Sequence, residues 1–415
     1  MRDTFLPFCT PLIGEDEISE VVDTLRSDWI TTGPKVKRFE QDFAQFVHAP
    51  DALAVNSGTA ALHLALLALG IGAGDAVITT PMTFCSAVHV IEHVGATPIL
   101  CDVEPDTLNL DPDGIREQIE RAENERGLRV KAIMPLHLYG HPCDRDAILK
   151  IAAEHHLAVI EDAAHSLPAA YKGHPIGSLS ATDSVPVLTC FSFYATKNLT
   201  TAEGGMLTGP KGLLDEARRW TLHGMSRDAW KRYNANGSWF YDVTCPGFKY
   251  NMTDIAAALG LQQLKKLPQF CARRRAIVQK YHSAFGSSEE LQVPTERNDV
   301  QHAWHLYVLR LNLDRTRITR DKFINEMRAR NIGCSVHFIP VHLLSYYRDK
   351  YRYAPEQFPI ALREYQRMVS LPLSVRMTDN DVEDVIDAAI GILQENRSAN
   401  SMTARKATPA DVVSV

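Results

Sequence analysis

Between about residues 52 and 210, short apolar runs alternate with helical ones, and this alternation restricts the fold more than any other feature of the chain. Ala52–Asn56, Ala76–Thr80, Thr97–Asp102, Val130–Leu136, Leu157–Glu161 and Val185–Phe193 read as strands. Gly58–Leu69 reads as an almost wholly apolar helix stopped by Gly70. Asp111, followed by Pro112, and Asp144 read as N-caps of further helices, reaching about Arg126 and His156. Strands alternating with helices predict an α/β chain whose mostly parallel sheet is covered by helices.

The pattern changes downstream. Residues 211–222 read as a helix, and His223–Lys249 is a long aperiodic stretch rich in Gly, Asn, Ser and aromatics. So long a loop in a compact enzyme is usually functional or disordered. Thr253–Leu267 and Ala272–Phe285 read as two helices, and polar Gly286–Asp299 marks a boundary near residue 290. Strands at Trp304–Leu311 and Gly333–Phe338, with helices near Arg320–Arg330, Pro359–Met368 and Thr378–Leu393, predict a smaller C-terminal α+β domain. The expected organisation is an N-terminal arm and large domain over 1–290, a small domain over 291–395, and a disordered tail over 396–415.

Composition excludes several partners. The chain has 44 basic and 50 acidic residues, a net charge of −6, which asks for no nucleic acid or other polyanion. No apolar run approaches the roughly 18 residues needed to span a bilayer. Met1–Leu12 lacks a long apolar core, so no signal peptide is expected. The 8 cysteines form no CxxC pair and read as free thiols of a cytoplasmic protein. No metal-ligand spacing, Walker loop, GxGxxG or GxSxG motif occurs, so no metal is expected.

Four groups carry chemistry. Lys197 follows an apolar strand in a small-polar run, Ser192–Asn198, at what would be the rim of a sheet. It is either a solvated surface group or a desolvated nucleophile with a lowered pKa. Asp162 ends a buried strand and is either a helix N-cap or the partner of a cation. Adjacent Glu161 should face the other side of the sheet. Ser57-Gly58-Thr59 joins a strand to a buried helix, so it is a cap or an anion cradle, and Ser192 is a second candidate phosphate donor. Phe84 is either core or a ring-stacking residue, and His165 is either structural or a contact to the other ring face or ring oxygen. A reactive amine, a buried acid, a phosphate cradle and a ring sandwich are what pyridoxal 5′-phosphate (PLP) requires.

The stretches Asp28–Pro34, Asn56–Leu62, Glu161–His165, Ser192–Lys197, Glu203–Gly205 and Tyr250–Asp254 occur in this order over about residues 5 to 392. Together they resemble the DegT/DnrJ/EryC1/StrS family of sugar aminotransferases. The resemblance implies an aspartate-aminotransferase-like fold (PLP fold type I), with a seven-stranded, mostly parallel sheet in the large domain. It also implies a homodimer with shared active sites. Lys197 then forms the internal aldimine, Asp162 pairs with the pyridine nitrogen, and Ser57, Gly58, Thr59 and Ser192 hold the phosphate. Asn251 reaches the phosphate of the neighbouring subunit. Arg227-Asp228-Ala229-Trp230, Pro246–Asn251, His302–Tyr307 and Gly333–Phe338 are most similar to enzymes aminating C4 of UDP-linked 4-keto sugars, the UDP-4-amino-4-deoxy-L-arabinose type. By that likeness glutamate is the amino donor, Thr31, Arg227 and Lys249 contact substrate, and His337 sits near the sugar. The segment Ser178–Cys190 is longer and more apolar than in many relatives, Tyr194 stands where histidine is common, and His165 where many carry glutamine. A PLP-dependent sugar dehydratase or isomerase, whose relatives replace the lysine with histidine, and a non-catalytic PLP-binding regulator are the alternatives. Lys197 argues against the first.

Overall fold

The computed structural model of the chain describes residues 2–125, 127–179, 185–225 and 240–397. Helices α1 (Glu15–Arg26) and α2 (Pro34–Phe46) come first. The alternation then runs β1 (Ala52–Val55), α3 (Gly58–Ala68), β2 (Asp75–Thr79), α4 (Cys85–His93), β3 (Thr97–Leu100), α5 (Pro112–Asn124), β4 (Arg129–Ile133), α6 (Arg145–Glu154), β5 (Ala158–Asp162), β6 (Val187–Ser192) and β7 (Gly205–Thr208). Helices α7 (Lys211–Thr221) and α8 (Asp254–Phe285) lead to β8 (Leu291–Gln292), β9 (Tyr307–Leu311), α9 (Arg320–Ala329), α10 (Ser345–Tyr351), α11 (Pro359–Arg367), β10 (Met368–Leu371) and α12 (Asp379–Glu395).

Among the described residues the main sheet has seven strands in the order β1-β7-β6-β5-β4-β2-β3. Strand β7 is antiparallel to both neighbours, and the other pairs are parallel. The chain is therefore α/β with a seven-stranded, mostly parallel sheet, as the resemblance implies. Parallel strands gather their carboxyl ends at one edge. The reversed β7 brings its first residue there instead: Gly205 pairs with both Val55 and Ser192. Asp162, opposite Cys190, ends β5 at the same edge.

Both predicted caps form. Asp111 accepts the Asp113 N–H, and Asp144 accepts the Ala147 N–H. Helices α1, α2 and α4 had no sequence assignment. Helix α2 is amphipathic, burying Val36, Phe39 and Phe43, and its cap comes from far away. The buried Asp254 carboxylate accepts the N–H groups of Gly33, Lys35 and Val36 at 2.8, 3.0 and 2.9 Å.

Three expectations change. The two helices divided near Pro268 are one, the 32-residue α8. Proline removes one ladder bond, a cost of about 3 kcal/mol in a helix interior. Burial of Leu264, Leu267, Phe270, Ile277 and Tyr281 on either side outweighs that loss. Gly333–Phe338 is not a strand. Ser335 and Ser370 exchange backbone bonds, but the pairing stops there, and the His337 carbonyl accepts the Tyr139 hydroxyl instead of a strand neighbour. The N-terminal arm, assigned by sequence to the large domain, packs on the smaller layer. Leu6 enters the core of β9, β10, α9 and α12, and bonds Asn331 and Gly333 through its backbone. At the other end, Asn396 and Arg397 are still anchored, Arg397 Nε donating to Glu290 at 2.6 Å. The rest of the expected tail, 398–415, lies outside the described residues.

Arg274 of α8 joins the layers. Its guanidinium, 3% exposed, donates to the carbonyls of Trp304, His305 and Leu373 at 3.2, 3.2 and 3.0 Å. Arg274→Met should cost about 3 kcal/mol, because it orphans buried carbonyls. The thermal-unfolding midpoint of the apo-protein should fall measurably. Arg275→Met, at a half-exposed neighbour, should leave it unchanged.

Candidate active site

The loop after β6 carries Lys197. Its N–H closes a turn on the Tyr194 carbonyl at 2.9 Å. Buried Asn198 then pins the loop, donating to the carbonyls of Leu167 and Ala303, both at 2.9 Å. The side chain of Lys197 lines a cavity of about 480 Å³ at the carboxyl edge of the sheet. It is therefore no solvated surface lysine. Burial lowers its pKa from 10.5 to about 8, against the opposing field of Asp162.

Asp162 forms the floor of the same cavity and is 6% exposed. No helix follows it, so it is not an N-cap. Its Oδ1 accepts the Ala164 N–H at 3.1 Å in an Asx-type turn. Burial raises its pKa, and the charge of Lys197 opposes the rise less strongly. Glu161 faces away from the cavity. It bonds Arg145 of α6 at 2.5 Å and Thr189 at 2.7 Å, and the guanidinium holds its carboxyl well below the usual range.

Ser57, Gly58, Thr59 and Ser192 lie together in the cavity wall. Ser57 caps α3 by accepting the Ala60 N–H at 3.0 Å, so its structural role is real. The amides of Gly58 and Thr59 belong to the first turn, where N–H groups have no intrahelical acceptor. A Cβ on Gly58 would lie 2.8 Å from Ser192 Cβ, and one on Gly205 would lie 2.6 Å from the Ser57 carbonyl. Both glycines are required for this close approach of three strand ends. The result is an anion cradle at a positive helix end.

Phe84, 59% exposed, lies in the cavity wall and not in the core. Phe338, its ring 6.0 Å from that of Phe84, and three imidazoles line the same cavity. His165 stacks on Phe338 at 5.6 Å and touches His305 at 4.6 Å, and His337 stacks on Phe8 at 5.2 Å. Burial and the nearby Lys197 charge hold all three histidines neutral, His337 down to about 4. Sequence reasoning singled out His165 and His337 but gave no role to His305, Phe8 or Cys9. Cys9 donates to the Thr196 carbonyl beside Lys197 at 3.6 Å. The signal for His305 was present in His302–Tyr307, but only the folded chain shows which of its two histidines reaches the cavity.

Of the remaining predicted residues, Asn251, Thr31 and Lys249 are not in this cavity. Asn251 lines a broad groove with Trp29, Thr32 and Arg218, and its Nδ2 donates to Thr32 Oγ1 at 2.7 Å. Its buried Oδ1 has no partner among the described residues. Thr31 is exposed and its carbonyl accepts the Asp254 N–H at 2.9 Å. Lys249 is exposed, its carbonyl taking the Asn56 amide at 3.2 Å. Arg227 lies outside the described residues, as do 180–184 of the long Ser178–Cys190 segment.

Comparison with known proteins agrees with this geometry. The model of the DegT/DnrJ/EryC1/StrS aminotransferase family matches residues 11–389. The spore coat polysaccharide biosynthesis protein SpsC of Bacillus subtilis is 49% identical over 395 residues, covering 95% of this chain and 98% of that one. Uncharacterized protein MJ1066 of Methanocaldococcus jannaschii is 49% identical over 398 residues, covering 96% and 100%. The putative sugar aminotransferase Spr1654 of Streptococcus pneumoniae in its PMP form superposes with a TM-score of 0.85 at 35% identity, covering 94% and 99%. Its PLP form gives 0.84 at 34% identity, with the same coverage.

The lowered pKa of Lys197 has a direct readout. Capture of added PLP by the apo-protein needs the neutral amine, so its rate should rise with pH to a midpoint near 8 and not 10.5. Asp162→Asn removes the field that raises this pKa, so the midpoint should move lower still. A midpoint unmoved from that of free lysine would contradict the burial described above.

Proposed function

The chain belongs to the DegT/DnrJ/EryC1/StrS aminotransferase family, and on that premise we propose that it moves an amino group from glutamate to C4 of a nucleotide-linked 4-keto sugar, in particular a UDP-sugar, with Lys197 as its reactive amine. That it is a PLP-dependent transaminase of the sugar-aminotransferase kind follows from the family and from the PLP and PMP forms of the superposed enzyme. One observation carries the site assignment: a desolvated amine, Lys197, shares a cavity with a buried, under-bonded carboxylate, Asp162.

The residues present fit PLP. Asp162 has one hydrogen bond among the described residues and suits a protonated ring nitrogen. The amides of Gly58 and Thr59, with Ser57 and Ser192, suit a phosphate, and Phe84 suits a ring face. His165 presents a donor to a ring oxygen. When bound, PLP supplies an electron sink that lets a proton leave the carbon bearing the transferred nitrogen. Lys197 then carries that proton. Its lowered pKa leaves a usable fraction of neutral amine near pH 7, and positioned proton transfer contributes roughly 10²–10⁴-fold. Asp162 keeps its facing cation charged, and the phosphate cradle and Phe84 hold orientation.

The acceptor reading draws on the wall chemistry and on the relatives. Neutral imidazoles suit hydroxyls and carbonyls, as on a sugar, and no arginine lines the cavity among the described residues. SpsC is named for polysaccharide biosynthesis and Spr1654 as a putative sugar aminotransferase. His337 would stand by the sugar. Thr31, Lys249 and Asn251 all lie outside the chain's own cavity, which favours a homodimer in which they serve the partner's site, with Arg227 meeting the diphosphate. Among the described residues no helix is long and apolar enough to cross a membrane, and we assign the enzyme to the cytoplasm.

Three measurements test the proposal. Lys197→Ala should retain no borohydride-trappable PLP, and full trapping in that variant would remove Lys197 from its role. A panel of UDP-, dTDP- and GDP-linked 4-keto sugars with glutamate should give, for one of them, a product in which an amine has replaced the ketone oxygen. A product that has lost water without gaining nitrogen would favour the dehydratase. Failure of glutamate to alter the bound-cofactor spectrum would favour a binding protein.

A further inference from the structure

We propose that Tyr139 is the positioning residue of this cavity: one buried residue fixes which ring nitrogen of His165 carries the proton and holds the segments bearing His305 and His337 beside Lys197. The inference rests on the transaminase assignment and is independent of the acceptor sugar.

Tyr139 lies in the short turn Leu138–Gly140 between β4 and α6, and its φ is 60°. That left-handed conformation is unfavourable for a bulky residue and persists only where the surroundings over-determine it. Here they do. The backbone N–H donates to His165 Nδ1 at 3.2 Å. The carbonyl accepts the backbone N–H of His305 at 3.0 Å and that of Leu306 at 3.2 Å. The hydroxyl donates to the carbonyl of His337 and lies 3.4 Å from the Met368 sulfur. Three polar groups of one residue thus reach three histidine segments that no local structure would align.

The next residue completes the junction. A Cβ on Gly140 would lie 2.9 Å from the His165 carbonyl and 3.1 Å from the Trp304 nitrogen, both backbone atoms. Its carbonyl also accepts the Ala303 N–H at 2.9 Å. Only glycine lets the turn sit between the two chains.

The consequence is chemical. A backbone N–H can only donate, so Nδ1 of His165 is an acceptor and the neutral ring carries its proton on Nε2. His165 therefore offers the cavity a donor of fixed polarity. His337 is held at two points, by its carbonyl on Tyr139 and by Nδ1 on Ser370 Oγ at 2.8 Å. The side chain of Tyr139 governs only the first of these, whereas its backbone governs His165 and His305.

Tyr139→Phe separates the roles, since it deletes the hydroxyl and keeps both backbone bonds. PLP-loaded wild-type and variant protein would be treated with diethyl pyrocarbonate and labelling read residue by residue by peptide mass spectrometry. Labelling of His337 should rise about tenfold, the factor expected for losing one buried hydrogen bond, with His165 and His305 unchanged. In ¹⁵N-histidine-labelled protein, His165, identified by its loss in His165→Gln, should show an acceptor Nδ1 and a protonated Nε2 in both forms. Unchanged His337 labelling, a parallel rise at all three histidines, or a His165 proton on Nδ1 would each overturn the proposal. Neither readout uses an acceptor, so failure to aminate any sugar leaves it standing, and normal turnover with unchanged labelling defeats it alone.

Discussion

A carboxylate taken out of water at the end of a strand is the constraint on which this site depends. Burying an ionised carboxylate costs several kcal/mol even after relaxation, and one bond from the Ala164 N–H does not offset that. Lys197 stands in the same cavity with the mirror-image problem. The two shifts agree in direction: burial raises Asp162 and lowers Lys197, and the attraction between them opposes both without prevailing. Each group is drawn toward its neutral form while facing a potential partner. A third body with a basic ring nitrogen for one and an aldehyde for the other satisfies both. The contrast with Glu161 shows that this is specific. One residue earlier on the same strand, that carboxylate meets Arg145 and Thr189 and is fully compensated.

The sheet converts this local demand into a site. Six parallel strands would bring only carboxyl ends to the edge, and the reversal of β7 adds Gly205 between Val55 and Ser192. Side chains are excluded there by close packing, not by flexibility requirements: Gly58 abuts the Cβ of Ser192, and Gly205 abuts the Ser57 carbonyl. The positive end of α3 is thereby held against β6, within the cavity that contains Lys197 and Asp162. The motifs Ser57-Gly58-Thr59 and Glu203-Gly204-Gly205 are two halves of one packing solution.

This explains which parts were legible in the chain. Strands β1 to β6 and the caps Asp111 and Asp144 could be read because they rest on local periodicity and local hydrogen bonds. The cavity residues Lys197, Asp162 and Ser57 could be read because each lies at the end of such a strand or in the loop that follows it. What could not be read depends on contacts across the chain. The single helix α8 read as two because the burial of Leu264, Leu267 and Phe270 around exposed Pro268 is invisible in one dimension. The run Gly333–Phe338 has strand composition, yet its His337 carbonyl is taken by the Tyr139 hydroxyl, 198 positions away, rather than by a strand neighbour. Helix α2 has its cap in Asp254, and the cavity face of His305 is chosen by Tyr139 and Arg274. A side chain whose partner is hundreds of residues distant leaves no signature in its neighbours.

The distribution of charge then constrains what the site can accept. Within the described wall, the acidic and basic side chains are Lys197, Asp162 and Glu203, and every imidazole with a resolved shift is pushed toward neutrality. A low-dielectric wall of neutral donors and acceptors discriminates by hydrogen-bond geometry, because an unmatched buried polar group is costly on either side. Such a wall is suited to a ring of hydroxyls. It is poorly suited to clamping a carboxylate or diphosphate, which would need a planar cation. In the proposed reaction, those anions would be met by cations beyond the described wall. Thr31, Asn251 and Lys249 lie outside this wall, Asn251 on the groove with Trp29 and Thr32. In the proposed homodimer the two chains would divide the labour: one would supply the neutral chamber where nitrogen changes hands, and the other the polar and charged rim that selects what enters it.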